Sequence, residues 1–255
     1  MMENGHRRLK TLILAAGKGT RMGSDLAKVL HRINGRPLLD YVVEVAEAAG
    51  SEEIVVIVGH QADLVREIFA GRNLVFVEQR EQLGTGHAVL QAREAFAGYD
   101  GDVLILCGDV PLLPLDTVCR LLDEHGRSGA VVSVLTALLE NPKGYGRIVK
   151  DEAGTLLKIV EERDASDEER QIREINSGIY LAVAPFLFDA VSRITNRNDQ
   201  KEYYLTDIVG IARREGLPVH VCLAEDARSV MGINTPEELK RAGEFRDALK
   251  GRSDC

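Results

Sequence analysis

The sequence predicts an α/β fold with a doubly wound, mostly parallel sheet, and three observations carry that expectation. Uninterrupted apolar runs at 11–16, 54–58 and 103–106 have the length of strands buried on both faces, the usual condition of parallel strands. Stretches with apolar residues at helical spacing lie between such runs, and that alternation favours parallel pairing with covering helices. The first run breaks into Gly17-Lys18-Gly19, a turn of little bulk at the carboxyl end of a strand, where open α/β sheets bind their ligands. A chain of 255 residues, 45% of them apolar and 28% charged, can bury the core such a sheet requires.

Taken in order, 11–16 is the first strand. Residues 37–49 carry apolar side chains at 38, 39, 42, 43, 45, 46 and 49, a helical period with Pro37 in an acceptable first-turn place. A strand at 54–58 and a helix at 62–69 follow, then a strand at 74–77 and a helix at 86–96. The strand at 103–106 ends on Gly108-Asp109. The next helix is 118–125 and the next strand 130–138. Beyond Pro142 the rhythm changes, and 147–150 and 155–160, joined by Asp151-Glu152-Ala153-Gly154, read as a hairpin. The charged stretch 164–173 reads as a solvent-facing helix or loop. A strand at 179–183, a helix at 204–215, a strand at 219–223 and a helix at 236–249 complete the set, with a loose tail from 250.

Composition narrows the function classes. The net charge of −8 argues against a nucleic-acid surface, which needs a basic field. Any polyphosphate must therefore be met by local cations, and Lys18, Arg21 and Lys28 are the candidates. Four cysteines, at 107, 119, 222 and 255, show no metal-binding or redox spacing, which fits reduced thiols in the cytoplasm. The polar start, 1–10, lacks the apolar core of a signal peptide, and no apolar run approaches membrane-spanning length. The six histidines are scattered, and none is assigned a ligand role.

The turn after the first strand admits several readings. Glycines let backbone N–H groups approach a phosphate, and Lys18 and Arg21 add full charges to those dipoles. A P-loop would need Gly-x-x-x-x-Gly-Lys-Ser/Thr, which does not occur here. A dinucleotide fingerprint would fit Gly17 and Gly19, but its third glycine position is Met22. An ordinary strand-helix turn explains a lone Gly-x-Gly. The full string Leu14-Ala15-Ala16-Gly17-Lys18-Gly19-Thr20-Arg21-Met22, with Lys28 shortly after, instead resembles the sugar-nucleotide pyrophosphorylases. It is most similar to the N-acetylglucosamine-1-phosphate uridylyltransferases, as they occur in the first domain of a bifunctional uridylyltransferase/acetyltransferase family. The resemblance runs from about Leu9 to Asn234 and implies a Rossmann-like nucleotidyltransferase fold with a sugar-facing hairpin lobe. It also implies one domain over 1–255, with a nucleotide-binding half at about 9–140, a sugar-binding half at about 141–235, and a C-terminal helix and tail from 236.

What the resemblance implies for the site can be set beside the residues. Leu14 to Gly19 would lie against the nucleotide, with Arg21 and Lys28 on its phosphates. Gln79-Arg80-Glu81-Gln82-Leu83-Gly84-Thr85-Gly86 would contact uracil through Gln79, Gln82, Gly84 and Thr85; a glutamine amide and a glycine turn can read a pyrimidine edge. Asp109, in Gly108-Asp109-Val110-Pro111-Leu112, would share a Mg2+ ion with Asn234, hard oxygen ligands beside phosphates. On its own, Asn234 reads as the N-cap of the last helix. The sugar contacts would be the Gly146 backbone, Glu161 and Asn176, whose segments otherwise read as strand-edge turns. Glu202-Tyr203-Tyr204 would start a helix near the cleft.

The implied reaction joins UTP and N-acetylglucosamine 1-phosphate into UDP-N-acetylglucosamine and pyrophosphate, with Arg21, Lys28 and Asp109 as its catalytic groups. The sugar phosphate is already a nucleophile, so no Ser, Cys or His is required. Long members of the family add a hexapeptide-repeat β-helix with acetyltransferase activity; no such repeats occur up to Cys255, so acetyl transfer is not expected. Ala27 stands where the family often has Pro. The alternatives are a nucleotidyltransferase for dTTP or another hexose, and a non-catalytic sugar-nucleotide-binding subunit.

Overall fold

A computed structural model describes residues 8–253; His6, Cys255 and most of the polar start therefore fall outside it. The chain opens with β1 (Leu9–Ala15), whose successive residues face opposite sides of the sheet. Leu12 packs into one apolar core and Ile13 into another. The hairpin β2 (Arg32–Ile33) and β3 (Arg36–Pro37) leads into α1 (Leu38–Ala48), so Pro37 precedes the helix and does not occupy its first turn. Next come β4 (Ile54–Val58), α2 (Ala62–Ile68) and β5 (Val75–Glu78). α3 (Thr85–Gln91) is shorter than its apolar period suggests. At Ala92 the bonding tightens to i→i+3 and the remainder, Arg93–Phe96, is a 3-10 turn.

β6 (Asp102–Cys107) precedes α4 (Leu115–Ser128), which starts after Pro114 and stops where Gly129 turns left-handed. β7 (Val132–Leu138) follows, then the antiparallel hairpin β8 (Arg147–Lys150) and β9 (Leu156–Val160). The charged stretch holds a single turn, α5 (Asp167–Arg170), closed by a capping box from Ser166 and Glu169. β10 (Glu174–Val183), α6 (Ala184–Arg193), α7 (Asp207–Arg214), β11 (Val219–Leu223) and α8 (Pro236–Ser253) complete the fold. The last helix runs on through residue 253, so the tail expected to be loose from 250 is helical that far.

One sheet organises the molecule, in the order β11-β7-β10-β6-β1-β4-β5, with β8 and β9 attached beside β10. β1 runs parallel to both β4 and β6, β4 to β5, and β7 to β11. β10 runs against its neighbours β6 and β7. Side chains of α1, α2 and α4 cover one face, and those of α3, α6 and α7 cover the other. Ile57, Leu104, Ile105 and Leu106 are fully shielded, each burial stabilising the fold by about 1.5–3 kcal/mol before entropy is counted. β1 and β6 thus lie at the centre of the sheet, which fixes the loops at their carboxyl ends on its most rigid part.

Candidate active site

The glycine-rich loop leaves the sheet at the end of β1 and passes through a 3-10 turn, Thr20–Met22, before a second one, Lys28–Leu30. Gly19 makes this path possible. It has φ 66°, and a Cβ placed on it would lie 2.7 Å from the Cβ of Lys28. The loop therefore wraps closely around the stem of Lys28. Gly17, Lys18 and Arg21 are exposed, while Leu14, Ala15 and Ala16 belong to the strand and its exit.

Asp109 stands two residues past the end of β6. The N–H of Gly108 donates to the Leu14 carbonyl at 2.9 Å, which ties this exit to that of β1. The Ile233 N–H donates to the backbone carbonyl of Asp109 at 2.9 Å, which brings in the segment before α8. A Cβ on Gly232 would sit 2.9 Å from Asp109 Oδ2, so the approach leaves no room for a side chain there.

At this junction four predicted residues meet. The Lys28 ammonium donates to Asp109 Oδ2 and to Asn234 Oδ1 at 2.6 Å. The Arg21 guanidinium donates to the same Asn234 oxygen at 2.8 Å. Asn234 is not the cap of α8. That role falls to Thr235, whose hydroxyl accepts from the Glu238 N–H at 3.2 Å while Glu238 accepts from the Thr235 N–H at 3.2 Å, a reciprocal capping box. Glu238 also accepts from the Asn234 N–H at 2.6 Å, and Asn234 Nδ2 donates to the Gly232 carbonyl at 2.9 Å. With its backbone and amide nitrogen fixed in this way, Asn234 presents its oxygen to the cleft. Glu238 and Gly232 were not singled out by sequence reasoning, although Thr235-Pro236-Glu237-Glu238 carries the capping-box spacing openly.

The glutamine loop follows β5 and folds inward. Gln79 is only 4% exposed; its amide nitrogen donates to the Gly84 carbonyl at 3.1 Å and lies 3.0 Å from His87 Nδ1. The Gln82 amide nitrogen donates to the Ala16 carbonyl at 2.8 Å, joining this loop to the glycine loop. The Thr85 hydroxyl accepts from the Leu205 N–H at 3.1 Å, and the Gly86 N–H donates to the Tyr203 carbonyl at 2.7 Å. The segment around Tyr203 thus backs the glutamine loop. It is irregular chain, with α7 starting only at Asp207.

On the other side of β6, Gly146 precedes β8, Glu161 follows β9, and Asn176 lies in β10. A Cβ on Gly146 would be 3.5 Å from Glu161 Oε2 and 3.6 Å from the Cβ of Asn176, so the three converge. Burial pushes the Glu161 carboxyl above its ordinary pKa, against the hydrogen bond it accepts from the Thr206 hydroxyl at 3.2 Å. Burial also raises the Tyr145 phenol, with Glu238 and Asp109 adding to the shift. The Cys107 thiol, shielded and near Asp109, is pushed up to about 12, so it stays protonated and is no nucleophile at neutral pH.

Asp109 and Asn234 supply a carboxylate and an amide oxygen that already converge on one cationic group, the ammonium of Lys28. That donor set fits a small hard cation such as Mg2+, which takes one or two protein oxygens and completes its shell with phosphate and water. Among the described residues no group of three or more His, Cys, Asp or Glu is arranged to hold a metal. Nor is any helix among them long and apolar enough to cross a membrane.

The family described as MobA-like NTP transferase domain matches residues 11–175. Curated relatives that carry the name "Bifunctional protein GlmU" include the following three. That of Geobacter metallireducens is 54% identical over 238 residues, covering 93% of this chain and 50% of the relative. That of Pelobacter propionicus is 52% identical over 242 residues, 94% of this chain and 52% of the relative. That of Geotalea daltonii is 50% identical over 237 residues, 92% of this chain and 52% of the relative. The chain spans about half the length of the curated relatives it matches.

Proposed function

The chain belongs to the MobA-like NTP transferase family, and from that premise we propose that it is a sugar-1-phosphate uridylyltransferase, making UDP-N-acetylglucosamine and pyrophosphate from UTP and N-acetylglucosamine 1-phosphate. The observation that carries the reading is the meeting of Arg21, Lys28, Asp109 and Asn234 at the carboxyl ends of β1 and β6. A phosphate oxygen of the sugar phosphate attacks the α-phosphorus of UTP, and the bond to the β-phosphate oxygen breaks in line with it. Asp109 and Asn234 would hold Mg2+, which would supply neutralisation of phosphate charge. The Arg21 fork matches two oxygens of the departing pyrophosphate. Lys28 holds phosphate oxygens beside the reacting phosphorus, and residues 14–19 lie against the nucleotide.

The halves of the chain divide the substrates in this proposal. Residues 9–140 bind the nucleotide; 141–235 bind the sugar through the Gly146 backbone, Glu161 and Asn176. A Glu161 carboxyl shielded from water accepts sugar hydroxyl protons strongly, because little solvent competes. The reading places the enzyme in the cytoplasm, with Cys107, Cys119 and Cys222 as free thiols.

Base selectivity tests the assignment of UTP. With its amide nitrogen committed to Gly84 and His87, Gln79 can offer a base its oxygen, an acceptor that suits the N3–H of uracil. Cytosine has an acceptor at N3 and leaves that pairing unmade, at a cost of about 1–3 kcal/mol, or roughly ten- to hundred-fold in kcat/KM. Thymine adds only a methyl, so dTTP is rejected less. Steady-state kcat/KM for UTP, CTP and dTTP, in the wild type and in Gln79→Ala, checks this: selectivity against CTP should soften in the variant. A wild type that prefers dTTP returns the assignment to another sugar nucleotidyltransferase.

Gly232 gives a narrower expectation. It is absent from the positions with positive φ, so alanine there is conformationally tolerable and acts only by pressing on Asp109 Oδ2. Gly232→Ala should lower kcat/KM about 10- to 100-fold, the range for displaced supports of a metal ligand, while the melting temperature scarcely moves. A parallel assay of pyrophosphate release and thermal unfolding separates the two.

A further inference from the structure

The Lys28 ammonium is engaged by protein oxygens. It donates to Asp109 Oδ2 and lies 2.6 Å from Asn234 Oδ1, the two oxygens assigned above to the divalent ion. The pair is partly sheltered, the side chains of Lys28 and Asp109 being 14% and 20% exposed. Gly19 packs closely against the Lys28 stem, which fixes the base of the side chain. Arg21 reaches only the Asn234 oxygen of the two, at 2.8 Å. An ammonium and a divalent cation cannot both sit on Asp109 Oδ2 and Asn234 Oδ1, because like charges at such distances repel strongly in a sheltered site.

We propose that Lys28 is a placeholder cation: in the protein without nucleotide its ammonium holds the position of the metal, and it gives that position up when a triphosphate draws it away. The inference rests on the reading of Asp109 and Asn234 as metal ligands. It gives the carboxylate a partner at every stage, avoiding the cost of a sheltered, unpaired charge. It also makes the protein a poor binder of the bare ion and a good binder of the ion arriving with a nucleoside triphosphate. Lys28 then serves first the ligands of the metal and afterwards the phosphates, as one side chain in two positions.

Mn2+ alone is the probe, titrated into the full chain without nucleotide and followed by the electron-spin-resonance signal of the free ion. Lys28→Met should tighten Mn2+ binding by about ten-fold or more, the order expected for removing a like charge from a partly exposed site. Arg21→Met removes the same charge from an exposed side chain that touches only one of the two oxygens, and should tighten binding clearly less than Lys28→Met does. Adding Asp109→Asn to Lys28→Met should abolish the gain. Equal Mn2+ affinity in wild type and Lys28→Met overturns the proposal, as do equal gains in the Lys28 and Arg21 variants, which would indicate diffuse charge. Should Lys28→Met lose its circular-dichroism spectrum, Lys28→Gln takes its place under the same criteria. Turnover of UTP by the wild type is scored separately, so loss of the reaction assignment is distinguishable from loss of the placeholder.

Discussion

Asp109→Ala is expected to reduce kcat by about 10³-fold or more at ordinary Mg2+ concentrations, the scale on which loss of a preorganised charge-stabilising group is felt in a site built around a metal. The fold should survive. Asp109 lies beyond the end of β6 and fills no part of either apolar core, and its backbone carbonyl can still accept from Ile233. What is lost is the carboxylate that holds Lys28 and, in the proposed reaction, the metal. Asn234 alone would leave the cation with one neutral protein ligand. Pyrophosphate release as a function of Mg2+, alongside far-ultraviolet circular dichroism, gives the test, and an unaltered Mg2+ dependence would remove Asp109 from the site.

Arg21→Ala should cost on the order of 10²–10³ in kcat, the usual loss when one donor aimed at developing charge is truncated. Arg21 is exposed, so its removal leaves packing untouched. Its bond to Asn234 Oδ1 holds the guanidinium at the mouth of the pocket before any substrate arrives, which lowers the ordering cost at the transition state. Arg21→Lys keeps the charge without the fork and should recover only part of the rate. A deficit confined to KM for UTP would mean that Arg21 binds ground state and transition state alike.

Much of this architecture could be read from the chain, for identifiable reasons. Strands buried on both faces are continuous apolar runs, which is why 54–58 coincides with β4; 219–223 matches β11 although that strand lies at the sheet edge and is only partly buried. β10 was only half legible. Its first residues, Glu174 to Gly178, are mostly polar, and its pairing with β7 is irregular between Asn176 and Tyr180, so no period survives there. Its antiparallel direction is a property of neighbours distant in sequence. α6 was overlooked although Ala184, Leu187, Phe188, Ala190 and Val191 are spaced helically and buried. Within the site, the strings on the glycine and glutamine loops could be read because short-range backbone geometry demands those residue types. That Lys28 meets both Asp109 and Asn234, 81 and 206 residues away, depends on contacts made only once the sheet is assembled.

The bond from Lys28 to Asn234 joins residues 206 apart in the chain. A ribosome adding about 5–20 residues per second separates the emergence of these two partners by roughly 10–40 s. By the end of that interval the growing chain carries the glycine loop and the strands of the sheet, yet until then has nothing to complete the pair of oxygens around the ammonium. Closure of so long a loop also comes late in folding from the denatured state, since its entropy must be lost before the contact repays it. In the proposed scheme, then, the nascent protein meets cellular nucleotide with half a pocket, and catalytic competence appears in one step when the α8 cap docks beside Asp109.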